Sequence, residues 1–358
     1  LRGRVGEEFL LFGMLSQLEE GRIFLEERDG SIPLDLSTSV GNVAPGLFTE
    51  NAFVLARGQL TEDKLFKVHQ LAMPPLKPAD AGHTVHARHM PAANMPQTSR
   101  ETLLAFEQRH RDASFVFLSD LHLDRPGMLS HLQTIFDGYA SISDPTQLPV
   151  AFVLMGSFCS HPIYMHGHHP VDQYKSNMNQ LADLISQYRT LREHCRFVFV
   201  PGPNDPWSGD TLPQRPIPAT FTEKLRMRLR HAIFTSNPCR IRYGSQDIVV
   251  FRSNLLARMR RYCVVSMEDK KGALSQQLVQ TILAQGHLTP MPIYRQPIFW
   301  RVDHALRLYR TPDLVLGDQA SPFSMTQHGC LCFNPGSFPG NAHSWYVYWP
   351  ATRSVEFR

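Results

Sequence analysis

Over the first seventy residues, apolar positions come in short runs broken by turn formers: LLFGMLSQL from Leu10, RIFLEE from Arg22, SIPLDL from Ser31, NAFVLARGQL from Asn51 and KLFKVHQL from Lys64. This spacing predicts about five short strands, with Asp29-Gly30 as a hairpin signal between the second and third. Closing them into a small barrel removes the exposed edges a flat sheet would leave. Beyond residue 101 the pattern changes. Apolar runs at 115–118, 150–155, 197–200, 248–251, 314–316, 330–333 and 345–349 read as strands. Between them, Met128, Leu129, Leu132, Ile135 and Phe136 mark one helix face, and Met178, Leu181, Leu184, Ile185, Tyr188 and Leu191 mark a second. Strands alternating with helices predict a layered α/β domain, whose ligands gather beyond the carboxyl ends of the strands.

Residues 74–100 separate the two patterns. Pro74, Pro75, Pro78, Pro91 and Pro96 stand there among Ala, His and Gly without apolar periodicity, as in a linker or mobile loop. His83, His86 and His89 have the spacing of a helical metal site, but their proline flanks favour a solvated linker. The expected organisation is an all-β domain over 1–76, of the size and strand count of an OB-fold, a linker over 77–100 and an α/β domain over 101–358.

The chain has 358 residues and 42% hydrophobic content, enough for two cores. No stretch approaches the roughly 18–20 apolar residues of a membrane span, so a soluble protein is expected. The first residues lack a secretory pattern, and the chain opens at Leu1 rather than Met, so upstream residues are expected. Six cysteines without a C-x-x-C pair predict reduced thiols inside a cell, with Cys330 and Cys332 pointing the same way from one strand.

The net charge of +4 conceals an asymmetry. Residues 1–75 hold eleven Asp and Glu against seven Lys and Arg, a balance of −4, whereas residues 224–271 reach +9. Lys224, Arg226, Arg228, Arg230, Arg240, Arg242, Arg258, Arg260 and Arg261 are therefore candidate contacts to DNA or to an acidic protein partner.

The segment SDLHLD, 119–124, follows the apolar run at 115–118. Calcineurin-like metallophosphoesterases begin their two-metal site in such a place, and the chain resembles the B subunits of the eukaryotic replicative DNA polymerases, which join an OB domain to a phosphoesterase domain. The strings that carry the resemblance are GMLSQLEEGRIFLEE (13–27), VPGPNDP (200–206), TSNPCRI (235–241), QGHLTPMPIY (285–294) and NPGSFP (334–339), and the polymerase epsilon branch is the nearest. The implied fold is an inactive calcineurin-like metallophosphoesterase fold, layered β-sheets flanked by helices, with an N-terminal all-β OB-fold barrel.

Active members of that superfamily use D-x-H, G-D-x-x-D, G-N-H-[DE], a further His, and G-H-x-H. Two divalent ions need a bridging carboxylate and a shell of His and Asn ligands to hold an activated water and the phosphate. In this chain Asp120 and His122 complete the first motif. Ser157 stands where the bridging aspartate belongs, Pro203 where the Asn ligand belongs, and Asn204 where the acidic His belongs. Arg252 and Ser253 fall near the fourth position on a loose alignment. Asp318 and Ala320 replace the last two histidines. Two dications about 3.5 Å apart repel by roughly 5 kcal/mol even at the dielectric of water. Without the shared carboxylate nothing offsets that repulsion, so these positions are expected to be vestigial, with no catalytic residue, metal or cofactor. Asp120 and His122 are expected to hydrogen-bond neighbouring loops, the alternative being one weak ion held with help from Asp318. A second cluster, His161, His166, His168 and His169, reads as a solvated loop.

The resemblance implies a non-catalytic accessory subunit in the nucleus. Its partners would be the C-terminal domain of the catalytic subunit, other replication factors and, through the complex, DNA, with no membrane involved. Two other readings stay open. One is an active metal-dependent phosphodiesterase or 3′ exonuclease. The other is an OB-type nucleic-acid-binding module in which Phe12, Phe24, Phe53 and Phe66 stack on bases, although barrel filling and the acidic balance weigh against it.

Overall fold

In the computed structural model, residues 4–19, 21–37, 42–76, 100–163, 168–206, 209–265, 272–309 and 312–358 are described, without the side chains of Arg100, His168 and His169. Strands β1 (Glu8–Glu19), β2 (Arg22–Glu27), β3 (Gly30–Asp35), β4 (Phe53–Leu60) and β5 (Phe66–Ala72) close into a barrel of order β1-β2-β3-β5-β4. The five runs legible in the sequence are these five strands. The β2–β3 turn falls one residue earlier than the hairpin signal, since Glu27 pairs with Gly30 across Arg28 and Asp29. Alternation points Val54, Ala56 and Leu60 of β4 inward, where they meet Leu15, Leu34, Phe66, Val68 and Leu71. The expected linker at 77–100, with His83, His86 and His89, lies outside the described residues apart from Arg100, which opens the helix Arg100–Arg109.

The barrel does not end at residue 76. The chain divides into two compact units, and the first contains, with the described residues of Leu1–Met90, those of Leu255–Pro297 and Leu306–Thr311. This differs from the single α/β domain expected over 101–358, and backbone hydrogen bonding supplies the reason. Leu47 N donates to Thr281 Oγ1 (2.7 Å), the Thr49 hydroxyl donates to Pro290 O (2.6 Å), and Gln285 bonds both N and O of Phe53 (2.8 Å each). These partners satisfy barrel-rim groups that would otherwise be buried unpaired. Apolar periodicity shows that the Leu274–Gln285 segment is a helix, but not which body it covers.

The second unit holds two sheets. One has the order β16-β15-β6-β7-β8-β9, with β6 (Phe115–Ser119), β7 (Ala151–Met155), β8 (Arg196–Val200) and β9 (Ala232–Phe234) parallel, and β15 (Tyr346–Trp349) and β16 (Ser354–Phe357) antiparallel. The other has the order β10-β11-β12-β14-β13, built from β10 (Cys239–Tyr243), β11 (Gln246–Arg252), β12 (Asp313–Gly317), β13 (Phe323–Gln327) and β14 (Cys330–Asn334). Successive residues of β6 enter different cores. Phe115 and Phe117 pack between the sheets with Ile248, Val250, Val315 and Phe333, while Val116 and Leu118 pack beneath the helices. That double burial is why these strands read as continuous apolar runs.

The second predicted helix face is split. Helix His168–Ser186 ends before Tyr188, and a short helix Arg189–His194 follows. The break brings the Tyr188 ring against Phe136 at 5.8 Å and its hydroxyl to Asp137 Oδ1 at 2.6 Å. Of the histidine stretch, His161 is exposed, His166 lies outside the described residues, and His168 and His169 open the long helix rather than a loop. All six cysteines are free. Among the described residues no helix is long and apolar enough to cross a membrane.

Thr281→Val keeps the shape of the side chain and removes the acceptor of Leu47 N, leaving a buried donor unpaired. A loss of about 1–3 kcal/mol is expected, read from the urea midpoint.

Candidate functional site

The carboxyl ends of β6, β7, β11 and β12 meet at one point, and four segments that follow or end these strands build the site. Asp120, immediately after β6, is 1% exposed and adopts φ +59°. Its Oδ1 accepts from the Ser157 amide (3.1 Å), from Arg252 Nε (3.0 Å) and from Arg252 Nη2. Its Oδ2 accepts from Gln319 Nε2 (3.1 Å), and the Gln319 carbonyl in turn accepts from Asn254 Nδ2 (3.2 Å). Burial disfavours the ionised form of Asp120, but the charges of Arg252 and His122 and the hydrogen bonds outweigh it and hold the carboxyl below its ordinary range.

Arg252, the last residue of β11, is also 1% exposed. Besides Asp120, its guanidinium donates to Gly156 O (2.7 Å), Gly317 O (2.8 Å) and Asn254 Oδ1 (2.9 Å). Asn237 fixes its backbone from both sides, accepting from Arg252 N (2.9 Å) and donating to Arg252 O (2.7 Å). The loose fourth position of the motif alignment is thereby placed: Arg252 reaches into the cleft and Ser253 does not carry the contact to Asp120.

The other positions of the motif alignment contact the surrounding loops. Ser157 Oγ accepts from the Asn204 amide (3.2 Å), and Asn204 Nδ2 donates to Cys159 O (3.2 Å) and Ser160 O (3.1 Å), so the residue in the place of the acidic His pins the 157–160 loop. Pro203 is half-buried beside it. Asp318 Oδ1 caps its own turn by accepting from Ala320 N (2.9 Å), while Asn334 Oδ1 accepts from Asp318 N (3.0 Å). His122, φ +22°, is 5% exposed; neither ring nitrogen has a hydrogen-bond partner, and Nε2 lies 3.8 Å from Asp120 Oδ1. Burial pushes its pKa down against the pull of Asp120. Among the described residues no three His, Cys, Asp or Glu side chains converge as ligands of a metal ion.

Sequence reasoning overlooked Asp205. It accepts from Gly202 N (2.7 Å), Phe158 N (2.8 Å) and Tyr174 Oη (3.1 Å), and burial pushes its carboxyl up to about 7. A Cβ on Gly156 would stand 2.0 Å from Asp205 Oδ2, and one on Gly202 2.5 Å from Gly156 C, so both residues must be glycine for the loops to cross.

The basic candidates are divided between the two units. Lys224, Arg226, Arg228, Arg230, Arg240 and Arg242 belong to the second unit, whereas Arg258, Arg260 and Arg261 belong to the first. Lys224 and Arg228 share Asp183, Arg226 lies 4.1 Å over the Phe234 ring, Arg240 donates to Ala305 O and Arg242 to Asp247. Arg258 bonds Gln296, while Arg230, Arg260 and Arg261 are exposed. The barrel aromatics divide too. Phe66 is in the barrel core, Phe24 is buried but outside that core cluster, and Phe12 and Phe53 stack on each other at 5.8 Å, both exposed.

One unit is a closed five-stranded barrel of OB type, and the other is a layered α/β body of two sheets and helices, the phosphoesterase-like class of fold. A family model for the B subunit of DNA polymerases alpha and epsilon matches residues 115–325. A second, described as DNA polymerase epsilon subunit 2-like, OB-fold domain, matches residues 1–75. The chain belongs to the family of DNA polymerase alpha/epsilon B subunits. It is 40% identical over 357 residues to DNA polymerase epsilon subunit 2 of Homo sapiens, an alignment covering 99% of this chain and 65% of that one. It is 37% identical over 350 residues to the DNA polymerase epsilon B subunit of Arabidopsis thaliana, covering 97% and 65%. The chain thus spans just under two thirds of the length of these relatives. Among solved structures it is similar to a novel archaeal phosphodiesterase, at 10% identity and TM-score 0.34 over 68% of this chain and 98% of that one. A putative 5′-nucleotidase from Staphylococcus aureus gives 10% identity and TM-score 0.31 over 69% and 52%.

Asp205→Asn replaces one of the two accepting oxygens with an NH2, which faces either the Gly202 amide or the Phe158 amide and Tyr174 hydroxyl and leaves those donors unpaired. A loss of about 1–3 kcal/mol is expected. A denaturation midpoint equal to that of the parent would show that the carboxylate does not hold the loops together.

Proposed function

We propose that this chain is a non-catalytic accessory subunit of DNA polymerase epsilon. On this reading it binds and stabilises the C-terminal domain of the catalytic subunit during nuclear DNA replication and connects it to other replication factors. The observation that carries the reading is 40% identity along 99% of the chain to a DNA polymerase epsilon subunit 2. The state of the cleft supports it. The residues around Asp120 do not fit a pair of dications, because a guanidinium already donates twice to the carboxylate and the superfamily's bridging acid is Ser157. Asp120, His122, Ser157, Pro203, Asn204, Asp318 and Ala320 are on this reading vestigial, and their remaining contacts hold loops.

Phosphodiester hydrolysis is disfavoured for the same reason. Direct nucleic-acid binding through the barrel has one favourable feature, the exposed Phe12–Phe53 stack, set against the −4 balance of residues 1–75. The exposed cations of the two units are contacts to DNA or to an acidic partner surface.

Co-expressed with the C-terminal domain of the catalytic subunit, the chain is expected to co-elute with it on gel filtration as a stoichiometric complex. Manganese-dependent nuclease activity is expected at the level of the Asp120→Ala, His122→Ala double variant. Separate elution of the two chains would remove the reading, as would activity that the double variant lacks.

A further inference from the structure

We propose that Arg252 is the resident cation of the former metal cleft: its guanidinium stands in for the metal pair, binds the strand ends together and keeps divalent ions out. This is independent of which partner the chain binds.

The fold makes a fixed electrostatic demand at this point. Asp120 is held by its position after β6, almost without exposure, and a buried carboxylate must either be neutralised or be met by a cation. In the two-metal superfamily dications meet it. Here Arg252 comes from the end of β11 in the other sheet and places two N–H groups on Asp120 Oδ1. The same planar fork reaches Gly156 O after β7, Gly317 O at the end of β12 and Asn254 Oδ1. A guanidinium has five N–H donors in fixed directions, and four of them meet four acceptors from four segments, with Nε shared between Asp120 Oδ1 and Gly156 O. A spherical ion gathers carboxylates and imidazoles, whereas this fork gathers carbonyls. The change of ligand type at the strand ends fits an arginine, not a metal.

Charge leads to the same conclusion. The carboxylate and the guanidinium sum to zero, so the cleft needs no second acid, and Ser157 in the place of the bridging aspartate leaves none. An incoming dication would face a fixed positive charge in hydrogen-bond contact with its principal ligand. His122 sits beside the pair, its Nε2 3.8 Å from Asp120 Oδ1 and both ring nitrogens without a hydrogen-bond partner. The other ionisable groups around the pair, Asp205 and Asp318, are each engaged by backbone N–H groups of their own loops.

Two measurements on the purified chain test the proposal. The first is a double-mutant cycle in melting temperature. Arg252→Met is expected to lower it by roughly 10 °C, because Asp120 is left charged and buried. Adding Asp120→Asn is expected to recover at least half of that loss. If the two substitutions simply add, Arg252 fills volume only and the proposal fails. The second is calorimetric titration with Mn2+ of the parent, of Ser157→Asp, and of the pair Ser157→Asp with Arg252→His. The parent and the single variant are expected to bind no tighter than millimolar, and the pair at least tenfold tighter than the single variant. Equal affinity of the single and paired variants would show that Arg252 does not exclude the ion. If the paired variant does not fold, the cycle alone decides.

Discussion

The contact between Asp120 and Arg252 constrains the cleft of the second unit, because strand ends from both sheets converge there on a buried charge. A carboxylate taken out of water at such a point is strongly unfavourable unless something of opposite sign stays with it, and removing one partner of a buried pair is far worse than never having had either. The surrounding geometry follows from that requirement. Asp120 turns through a positive φ to present its oxygens, Asn237 clamps the backbone of Arg252 from both sides, and Gly156 and Gly202 cross where no side chain would fit. Asp120 and Arg252 thus form an ion pair in which both side chains are 1% exposed.

Much of this is legible in the residues. The five barrel strands, the parallel runs of the α/β unit and the position of the cleft after Phe115-Val116-Phe117-Leu118 follow from apolar periodicity, since burial on one face or on both leaves its own signature. Asp120 and His122 stand out because two ligand-type residues follow a buried strand. The role of Arg252 does not. An arginine at the end of a strand in a basic stretch reads as a surface cation, and nothing local distinguishes a guanidinium pointing inward from one pointing outward. Asp205 is hidden for a related reason: its partners are mainly backbone amides, which nearly every residue has. The basic run is misleading because neighbours in sequence such as Arg242 and Arg258 belong to different units.

The barrel's outer surface shows a similar economy of signal. Phe12 and Phe53 alternate correctly for outward positions on β1 and β4, and their neighbours Gly13 and Val54 face in. Period-two patterning therefore separates Phe53 from Val54 and, with Lys67 and His69 on the other face, puts Phe66 and Val68 on one side, but it cannot place Phe12, whose run is apolar on both faces. Only the closure of the sheet decides which rings fill the interior.

The rim contacts of the barrel carry a consequence for synthesis. Leu47 waits for Thr281 and Thr49 for Pro290, separations of 234 and 241 residues. A ribosome adding roughly 5–20 residues per second needs on the order of ten seconds or more to cover that distance. During this interval the first five strands exist without their covering helix, and most of the α/β unit emerges before the cover arrives. The ring of five strands can close on its own residues, but Leu47, Thr49 and Phe53 lack these partners until the cover arrives, and a truncated product ending near residue 250 would display an incomplete rim to its surroundings.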